Sequence, residues 1–172
     1  MAGTPPKNER RMIFMRYFKK FLLKVLVYAG VLIVLFGFVF GVRVAYSSAM
    51  YPSVKDGDLV IIYRLGPINP DDPVLYKNAD GTEKIGRIKA IADSTVDISD
   101  KGEVSINGGK ITENVFYATE PGSLTYPYTV PDGSYFILND NRQDTGDSRE
   151  QGAIAKKDIV GKVVFVIRRR GI

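Results

Sequence analysis

The distribution of apolar residues divides this chain of 172 residues into an N-terminal apolar segment and a longer part of alternating character. Residues 25–42 are uncharged and mostly apolar, and residues 21–23 extend the run beyond Lys24. A run of about 18 apolar residues is long enough to cross a bilayer with ordinary tilt. The pattern therefore predicts a transmembrane helix over residues 25–43. A cleaved signal peptide is the alternative, although its apolar core is usually only about 7 to 15 residues long.

Beyond residue 43 the pattern is typical of β-structure, because short apolar runs alternate with turns rich in Gly, Asp, Asn and Pro. No convincing amphipathic helix follows the apolar segment. Asn107 and Gly108 lie between two apolar runs and predict a hairpin turn with positive φ angles. The sequence therefore predicts an all-β domain. Its strands are predicted over residues 59–63, 82–91, 95–98, 104–106, 110–112, 134–138 and 161–167, and its loops over residues 67–73 and 117–131.

The net charge of +5 is concentrated at the N-terminus. Residues 1–24 contain seven basic side chains and one acidic side chain, whereas residues 25–172 contain 17 basic and 18 acidic ones. Since the longer part is nearly neutral, the charge predicts no nucleic-acid partner. Basic residues before a membrane segment keep that end cytoplasmic, so a single-pass cell-membrane protein with an extracellular C-terminal part is predicted. The three arginines at 168–170 are interpreted as a solvated strand end, with lipid headgroups as the alternative contact.

The chain contains no Cys and no His. These absences exclude disulfides, Ser-His-Asp and Cys-His catalytic sites and the usual zinc sites. We therefore predict no metal and no cofactor, and any catalysis would depend on Ser, Thr, Lys, Asp, Glu or Tyr.

Three short motifs follow the apolar segment. The first, Ser-Ser-Ala-Met-Tyr-Pro, covers residues 47–52, and the second, Ile-Gly-Arg, covers residues 85–87. The third covers residues 139–152 and contains Asp-Asn-Arg and Asp-Ser-Arg at a fixed spacing. Together they resemble the three sequence boxes of type I signal peptidases, peptidase family S26. An acidic turn in an unrelated β-protein is the alternative interpretation of the third motif.

The resemblance covers essentially the whole chain and implies the fold of that family, a coiled antiparallel β-sheet domain behind one transmembrane helix. The implied organisation is a basic cytoplasmic tail over residues 1–24, the transmembrane helix over residues 25–43 and an extracellular β domain over residues 44–172. Within that domain, residues 97–131 correspond to a reduced form of the family's second, variable region.

The positions that carry catalysis in the family lack the required side chains here. By resemblance, Ala49 stands where the family has its nucleophilic serine, and Gly86 stands where it has the lysine that acts as the base. A methyl group cannot attack a carbonyl carbon, and glycine provides no amine. The resemblance therefore implies that no catalytic pair is intact and that hydrolysis by the family's route does not occur. Ser47 matches a position whose hydroxyl can help to bind the oxyanion, with an ordinary turn serine as the alternative.

Two neighbouring residues are candidate substitutes for the lost pair. Ser48 directly precedes Ala49, but on an extended strand its side chain would point to the opposite face. Lys84 lies two residues before Gly86 on the same strand face, about 6.6 Å away along the strand, so its side chain could approach the position of the base. Lys89 is expected to point to the opposite face from Gly86.

The other motif residues are expected to bind a peptide or to hold the site together. The resemblance assigns Met50, Pro52, Ile85 and Arg87 to peptide binding. It implies ion pairs of Asp140 with Arg87 and of Asp147 with Arg149. Met50 and the loop around Tyr126 and Tyr128 are expected at the lipid surface, with core packing as the alternative. The structural framework of the site is assigned to Asp140, Asn141, Arg142, Thr145, Asp147, Ser148 and Arg149.

The loss of both catalytic side chains resembles the signal-peptidase-like proteins of Gram-positive pilus clusters, which assist pilin polymerisation by sortases. The leading hypothesis is a protein that is anchored in the lipid bilayer and binds pilin precursors or signal-peptide-like segments without cleaving them, with a sortase as a further partner. The alternative is a type I signal peptidase, a serine endopeptidase that removes signal peptides from secreted proteins, whose nucleophile has been replaced. Gly86 favours the first hypothesis, because a single replacement of serine would leave a lysine there. An anchored β domain with an unrelated structural role is the third interpretation.

Overall fold

The computed structural model describes residues 7–113, 115 and 117–168, and the chain divides into two compact units with the boundary between Val39 and Phe40. The first unit contains helix α1, Lys7–Val34, which continues as a π-helical segment over Leu35–Val39. Residues Arg11–Val39 are long and apolar enough to cross a membrane, by length and composition. The first six residues of the predicted tail, and residues 169 and 170 of the C-terminal arginine run, lie outside the described residues.

The predicted end of the transmembrane helix at residue 43 is wrong, because a strand begins at Phe40. This strand, β1, covers Phe40–Val44 and pairs with the strand that contains Ile61. Hydropathy alone could not mark the change, since Phe40 and Val42 are as apolar as the helix before them. Neighbouring residues of a strand face opposite sides of the sheet, and this alternation appears only in the solvent exposure of the residues: Gly41 is buried and Val42 is exposed.

The second unit is built from antiparallel strands and two short helical segments. The described residues form β1 Phe40–Val44, β2 Leu59–Tyr63, β3 Pro73–Lys77, β4 Glu83–Ile91, β5 Thr95–Ile98, β6 Val104–Ile106, β7 Gly109–Lys110, β8 Tyr128–Thr129, β9 Ser134–Leu138, β10 Ile154–Ala155 and β11 Ile159–Ile167. Helix α2 covers Ser148–Gln151, and a 3-10 turn covers Lys156–Asp158. Seven strands form one sheet in the order β1-β2-β11-β3-β4-β9-β10, and four form a second in the order β7-β6-β5-β8.

The strand predictions succeed where the apolar runs are continuous. The bounds predicted for β2, β5, β6 and β9 are confirmed, and Asn107 and Gly108 form the predicted turn with φ angles of 52° and 77°. The predicted loop over residues 67–73 is wrong at its end, because Pro73 begins β3. A proline is accepted as the first residue of a strand. Strands β8 and β10 and helix α2 were not predicted, because elements of two to four residues are too short to give a periodic pattern in the sequence.

Three clusters of buried apolar side chains fill the second unit. The first underlies the first motif and includes Met50, Val54 and Leu75. The second joins the small sheet to β9, and the third includes Tyr76, Ile88 and Ile137 on one face of β3, β4 and β9.

The large sheet also carries an apolar surface outside these clusters. Two residues of β2, Leu59 and Ile61, each pair with one residue of β1 and one residue of β11. The surface formed by these six residues is called the apolar face, and it consists of Val42, Val44, Leu59, Ile61, Phe165 and Ile167. Val42, Val44, Phe165 and Ile167 are exposed.

Candidate active site

A cavity of about 260 Å³ lies between two walls that are far apart in the order of the sheet. One wall consists of residues 43–47, 49 and 50, and the other consists of residues 83–85 at the start of β4. Because three strands separate β1 from β4, only the curling of the sheet brings these walls together. This cavity is called the groove below. Its remaining lining residues are Val54, Leu75, Asn139, Asp144 and Gly146.

Ala49 lies in a turn at one end of the first wall. Its N–H donates a hydrogen bond to Ser47 Oγ at 3.0 Å, and its carbonyl accepts one from the N–H of Asn141 at 2.9 Å. The first and third motifs therefore meet at this residue. Ser47 lines the groove, and the proton of its hydroxyl can be donated to a peptide carbonyl. The methyl group of Ala49 offers no nucleophile.

Gly86 is buried in β4 and does not line the groove. A Cβ atom at this position would lie 2.4 Å from Ile137 Cγ2 and 3.1 Å from Tyr76 Cε1. Contacts below 3.0 Å require the neighbouring atoms to move, and Ile137 has no exposed surface into which it could shift. The position expected for the base is therefore filled by the side chains of Ile137 and Tyr76.

Tyr76, which lies beside Gly86, cannot act as a base. Its side chain is fully buried, and its hydroxyl has no hydrogen-bond partner among the described residues. Burial raises the pKa of the Tyr76 phenol, and the charges of Asp147 and Asp144 raise it further. The phenol therefore stays protonated at physiological pH and accepts no proton from a nucleophile.

Lys84 and Ser48 differ in their relation to the groove. Lys84 lines the groove together with Ala49, and its Nζ donates a hydrogen bond to the carbonyl oxygen of Gly146 at 3.1 Å. Ser48 is absent from the lining residues. It lies in a bend and not on an extended strand, so the expectation that its side chain points to the opposite strand face from Ala49 is wrong. Of the two candidate substitutes, the structure brings only Lys84 into the groove.

The second and third motifs are joined by a two-pronged ion pair. Arg87 Nε donates to Asp140 Oδ1 at 2.7 Å, and Arg87 Nη2 donates to Asp140 Oδ2 at 2.6 Å. Burial alone would raise the pKa of Asp140, but hydrogen bonds from Arg87 and Ser53, with the positive charge of Arg87, lower it. The carboxylate is therefore ionised at neutral pH, and the implied pair of Asp140 with Arg87 is present.

The third motif is folded around a fully buried carboxylate. Asp147 accepts hydrogen bonds from Arg149 Nε at 2.9 Å and Arg149 Nη2 at 2.7 Å, and from the N–H of Asn139 at 2.8 Å. Arg149 also donates to the carbonyl oxygens of Arg142 and Asp144. These bonds fix the loop from Asn139 to Gly146, which closes the groove on one side. The adjacent Thr145 carbonyl accepts from the N–H of Asp147, and Ser148 Oγ accepts from the N–H of Ile137 at 2.9 Å.

A second cavity, of about 290 Å³, lies beside the first motif and is distinct from the groove. Two of the residues expected to bind a peptide, Pro52 and Arg87, line this cavity, whereas Met50 and Ile85 line the groove. Glu113, which the sequence analysis did not single out, lies here between two buried cations and forms ion pairs with Lys89 and Arg142. Lys89 lines this second cavity and is absent from the lining of the groove.

The expectation that Met50 faces lipid is wrong. Met50 is 2% exposed and packs in the first apolar cluster, although part of it lines the groove. Tyr126 and Tyr128 pack against the second cluster, and their hydroxyls are engaged by the backbone at Pro121 and Ala153. Core packing, the alternative interpretation, therefore applies to all three side chains.

Several residues at or near the groove were not predicted from the sequence. Arg43 Nε donates to Glu83 Oε2 at 2.7 Å across the two walls, although the residues are 40 positions apart. Tyr76 and Ile137 fill the position beside Gly86 from two other strands. No local signal marks such contacts, because they depend on how the sheet curls. The described residues contain no group of three or more His, Cys, Asp or Glu side chains that could hold a metal ion.

Comparisons with known proteins agree with these features. The profile of the family described as "Signal peptidase, peptidase S26" matches residues 18–168. Signal peptidase I S of Bacillus subtilis is 31% identical over 159 residues, which are 83% of this chain and 85% of the relative. Signal peptidase I of Bacillus licheniformis is 33% identical over 162 residues, with the same coverage of each chain. A probable signal peptidase I-2 of Synechocystis is 34% identical over 138 residues, which are 73% of this chain but only 62% of the relative.

The crystal structure of a signal peptidase I from Enterococcus faecalis V583 is similar to this chain, with a TM-score of 0.50 and 25% sequence identity. The similar region covers 58% of this chain and 98% of the other. This likeness confirms the predicted fold, a mostly β structure with a curled antiparallel sheet.

Proposed function

We propose a peptide-binding role for this chain, which belongs to the signal peptidase family, peptidase family S26. In this proposal the groove binds the segment near the end of a signal peptide in a precursor at the membrane, and it does not hydrolyse the bound peptide. The observation that carries the proposal is the state of the two catalytic positions. Ala49 has no nucleophilic atom, and the place of a side chain at Gly86 is occupied by Ile137 and Tyr76.

Binding does not require the lost side chains. The groove presents a wall from Arg43 to Ser47 that begins in the edge strand β1, and it presents the hydroxyl of Ser47. Apolar side chains such as Leu75 and Ile85 also line it. An extended peptide can add to exposed backbone groups of this kind while its side chains enter the cavity. The ion pairs of the third motif support the proposal, because they hold the loop from Asn139 to Gly146 against the groove.

The membrane setting of the proposal rests on two surfaces, one in each unit. Residues Arg11–Val39 are long and apolar enough to form an anchor. The apolar face, with Phe165 and Ile167 exposed, offers the second unit a surface for lipid. The excess of basic residues over residues 1–24, ahead of the uncharged run over residues 25–42, supports a cytoplasmic N-terminus and an extracellular second unit.

Within this role we propose that the bound precursor is a pilin and that the protein presents it to a sortase. This step is supported by the resemblance carried by Ala49 and Gly86, and none of the relatives named above has a name that refers to pili. Deletion in the source organism is expected to shorten pilin polymers while secretion of other precursors stays unchanged. If pilin polymers keep their length after deletion, the pilus role is refuted, whereas the peptide-binding role is not.

A second candidate function is signal peptide hydrolysis, with alanine standing in place of a native serine at position 49. The names of the relatives favour this candidate over the pilus role, since each is a signal peptidase. The presence of Lys84 in the groove also favours it, because a serine at position 49 would share the groove with an amine.

A cleavage assay on a precursor in liposomes separates the two candidates. The unaltered chain is expected to be inactive, and so is Ala49→Ser alone. Gly86→Lys added to Ala49→Ser is expected to fail as well, because Ile137 blocks the new side chain. Activity is expected only when Ile137→Ala is added as the third change. Cleavage by Ala49→Ser alone, lost again on adding Lys84→Met, would instead support a peptidase that uses Lys84.

A further inference from the structure

An ion pair joins the two walls of the groove at Arg43, the residue of the first wall that is farthest from Ala49 in the sequence. Arg43 Nε donates to Glu83 Oε2 at 2.7 Å, and Arg43 Nη2 donates to Glu83 Oε1 at 3.3 Å. Arg43 belongs to β1 and Glu83 to β4, which are not neighbours in the sheet. Both residues line the groove, so their side chains connect its walls.

The pair is ordered by more than one contact. Arg43 Nη1 also donates to the carbonyl oxygen of Val42 at 3.1 Å, which orients the guanidinium group toward β4. The hydrogen bond from Arg43 lowers the pKa of Glu83 although partial burial opposes this shift, so the carboxylate is charged at neutral pH. A guanidinium group that binds both oxygens of a carboxylate has a defined geometry.

We propose that the Arg43–Glu83 pair is a strap that closes one end of the groove and limits the length of the peptide that can bind there. This inference rests on the proposed peptide-binding function. At the rise of an extended chain the wall from Arg43 to Ser47 spans at most about 13 Å, which accommodates about four peptide residues. The further residues of a longer peptide stay outside the groove while the ion pair is intact, and they enter only if the pair breaks.

The strap is expected to be weak enough to open. The side chains of Arg43 and Glu83 are 40% and 31% exposed. Ion pairs at this level of exposure contribute at most about 1 kcal/mol, which corresponds to a change of up to about fivefold in a dissociation constant. The strap therefore limits how many residues of a long peptide lie in the groove, and it does not prevent binding of short ones.

The experiment measures dissociation constants by NMR titration of the full chain in detergent micelles. The probes are capped peptides of four and eight residues that alternate alanine with glutamine. In the unaltered chain the two peptides are expected to bind with equal affinity, because only four residues fit. In the double variant Arg43→Ala with Glu83→Ala, the eight-residue peptide is expected to bind two- to fivefold more tightly than the four-residue one.

Two matched controls isolate the strap from a general effect of charge. Exchanging the partners, Arg43→Glu with Glu83→Arg, rebuilds an ion pair of opposite polarity and is expected to restore equal affinities. Lys110→Gln with Glu103→Gln removes an exposed pair on the second sheet and is expected to leave the affinities unchanged.

The outcomes distinguish this inference from the function on which it rests. If both peptides bind and their affinity ratio is the same in every variant, the strap is refuted and the groove still binds peptides. If no peptide binds to the unaltered chain or to the opened variant, both the strap and the peptide-binding function are refuted.

Discussion

Replacing Gly86 with alanine tests whether the position of the base is filled. The new Cβ would lie 2.4 Å from Ile137 Cγ2, about 1 Å closer than an ordinary contact. Ile137 and Tyr76 are both fully buried, so the collision must be relieved inside the core. Overpacking of this kind costs about 1–3 kcal/mol, whereas glycine to alanine in a strand otherwise gains about 0.5–1 kcal/mol. A net loss of about 1–2 kcal/mol in the free energy of unfolding is expected.

The measurement is urea unfolding of the full chain in micelles, followed by the β-sheet circular dichroism signal. Gly109→Ala is the matched control, because this strand glycine has a φ angle that alanine accepts and its nearest contact is 3.4 Å away. The control is expected to leave stability unchanged or slightly higher.

A double-mutant cycle assigns the loss to one contact. Ile137→Ala removes Cγ2, so Gly86→Ala is expected to cost about 1–2 kcal/mol less in that background. If Gly86→Ala and Gly109→Ala have the same effect on the unaltered chain, position 86 has room for a side chain. The conclusion that Ile137 and Tyr76 fill the place of the base is then refuted.

Three further predictions concern the buried polar groups. Tyr76→Phe is expected to raise the free energy of unfolding by about 1 kcal/mol, since the removed hydroxyl has no hydrogen-bond partner among the described residues. A loss of stability in urea unfolding would contradict this expectation. Asp147→Ala is expected to lower the free energy of unfolding by about 3–5 kcal/mol, because it removes the ion-pair partner of the buried Arg149. Glu103→Ala, which removes an exposed ion pair, is expected to lower it by less than about 1 kcal/mol. Asp140 has a lower pKa in the folded protein than in the unfolded chain, so its stabilisation is complete above about pH 5 and is lost as the pH falls through the folded pKa. The stability difference between the unaltered chain and Asp140→Asn should therefore shrink from about pH 5 toward pH 2, and a difference independent of pH would contradict the shift.

The sequence by itself determined the broad plan of this protein. The apolar run, the strands with continuous apolar patterns and the hairpin at Asn107 and Gly108 could be predicted because they depend on residues close together in the chain. The three motifs also predicted the family and the loss of chemistry at Ala49, since the absence of a nucleophilic atom needs no geometry. The pairs of Asp140 with Arg87 and Asp147 with Arg149 followed from the resemblance.

Only the tertiary structure decided what surrounds Ala49 and Gly86. The change from helix to strand at Phe40 depends on pairing with β2, and the strand at Pro73 depends on its place between β11 and β4. Whether the place of the base is empty depends on Ile137, which reaches Gly86 from another strand. The groove itself exists because curling brings β1 and β4 together, and with them Arg43 and Glu83. Contacts between residues this far apart in the chain are set by the packing of the whole sheet, which no local pattern encodes.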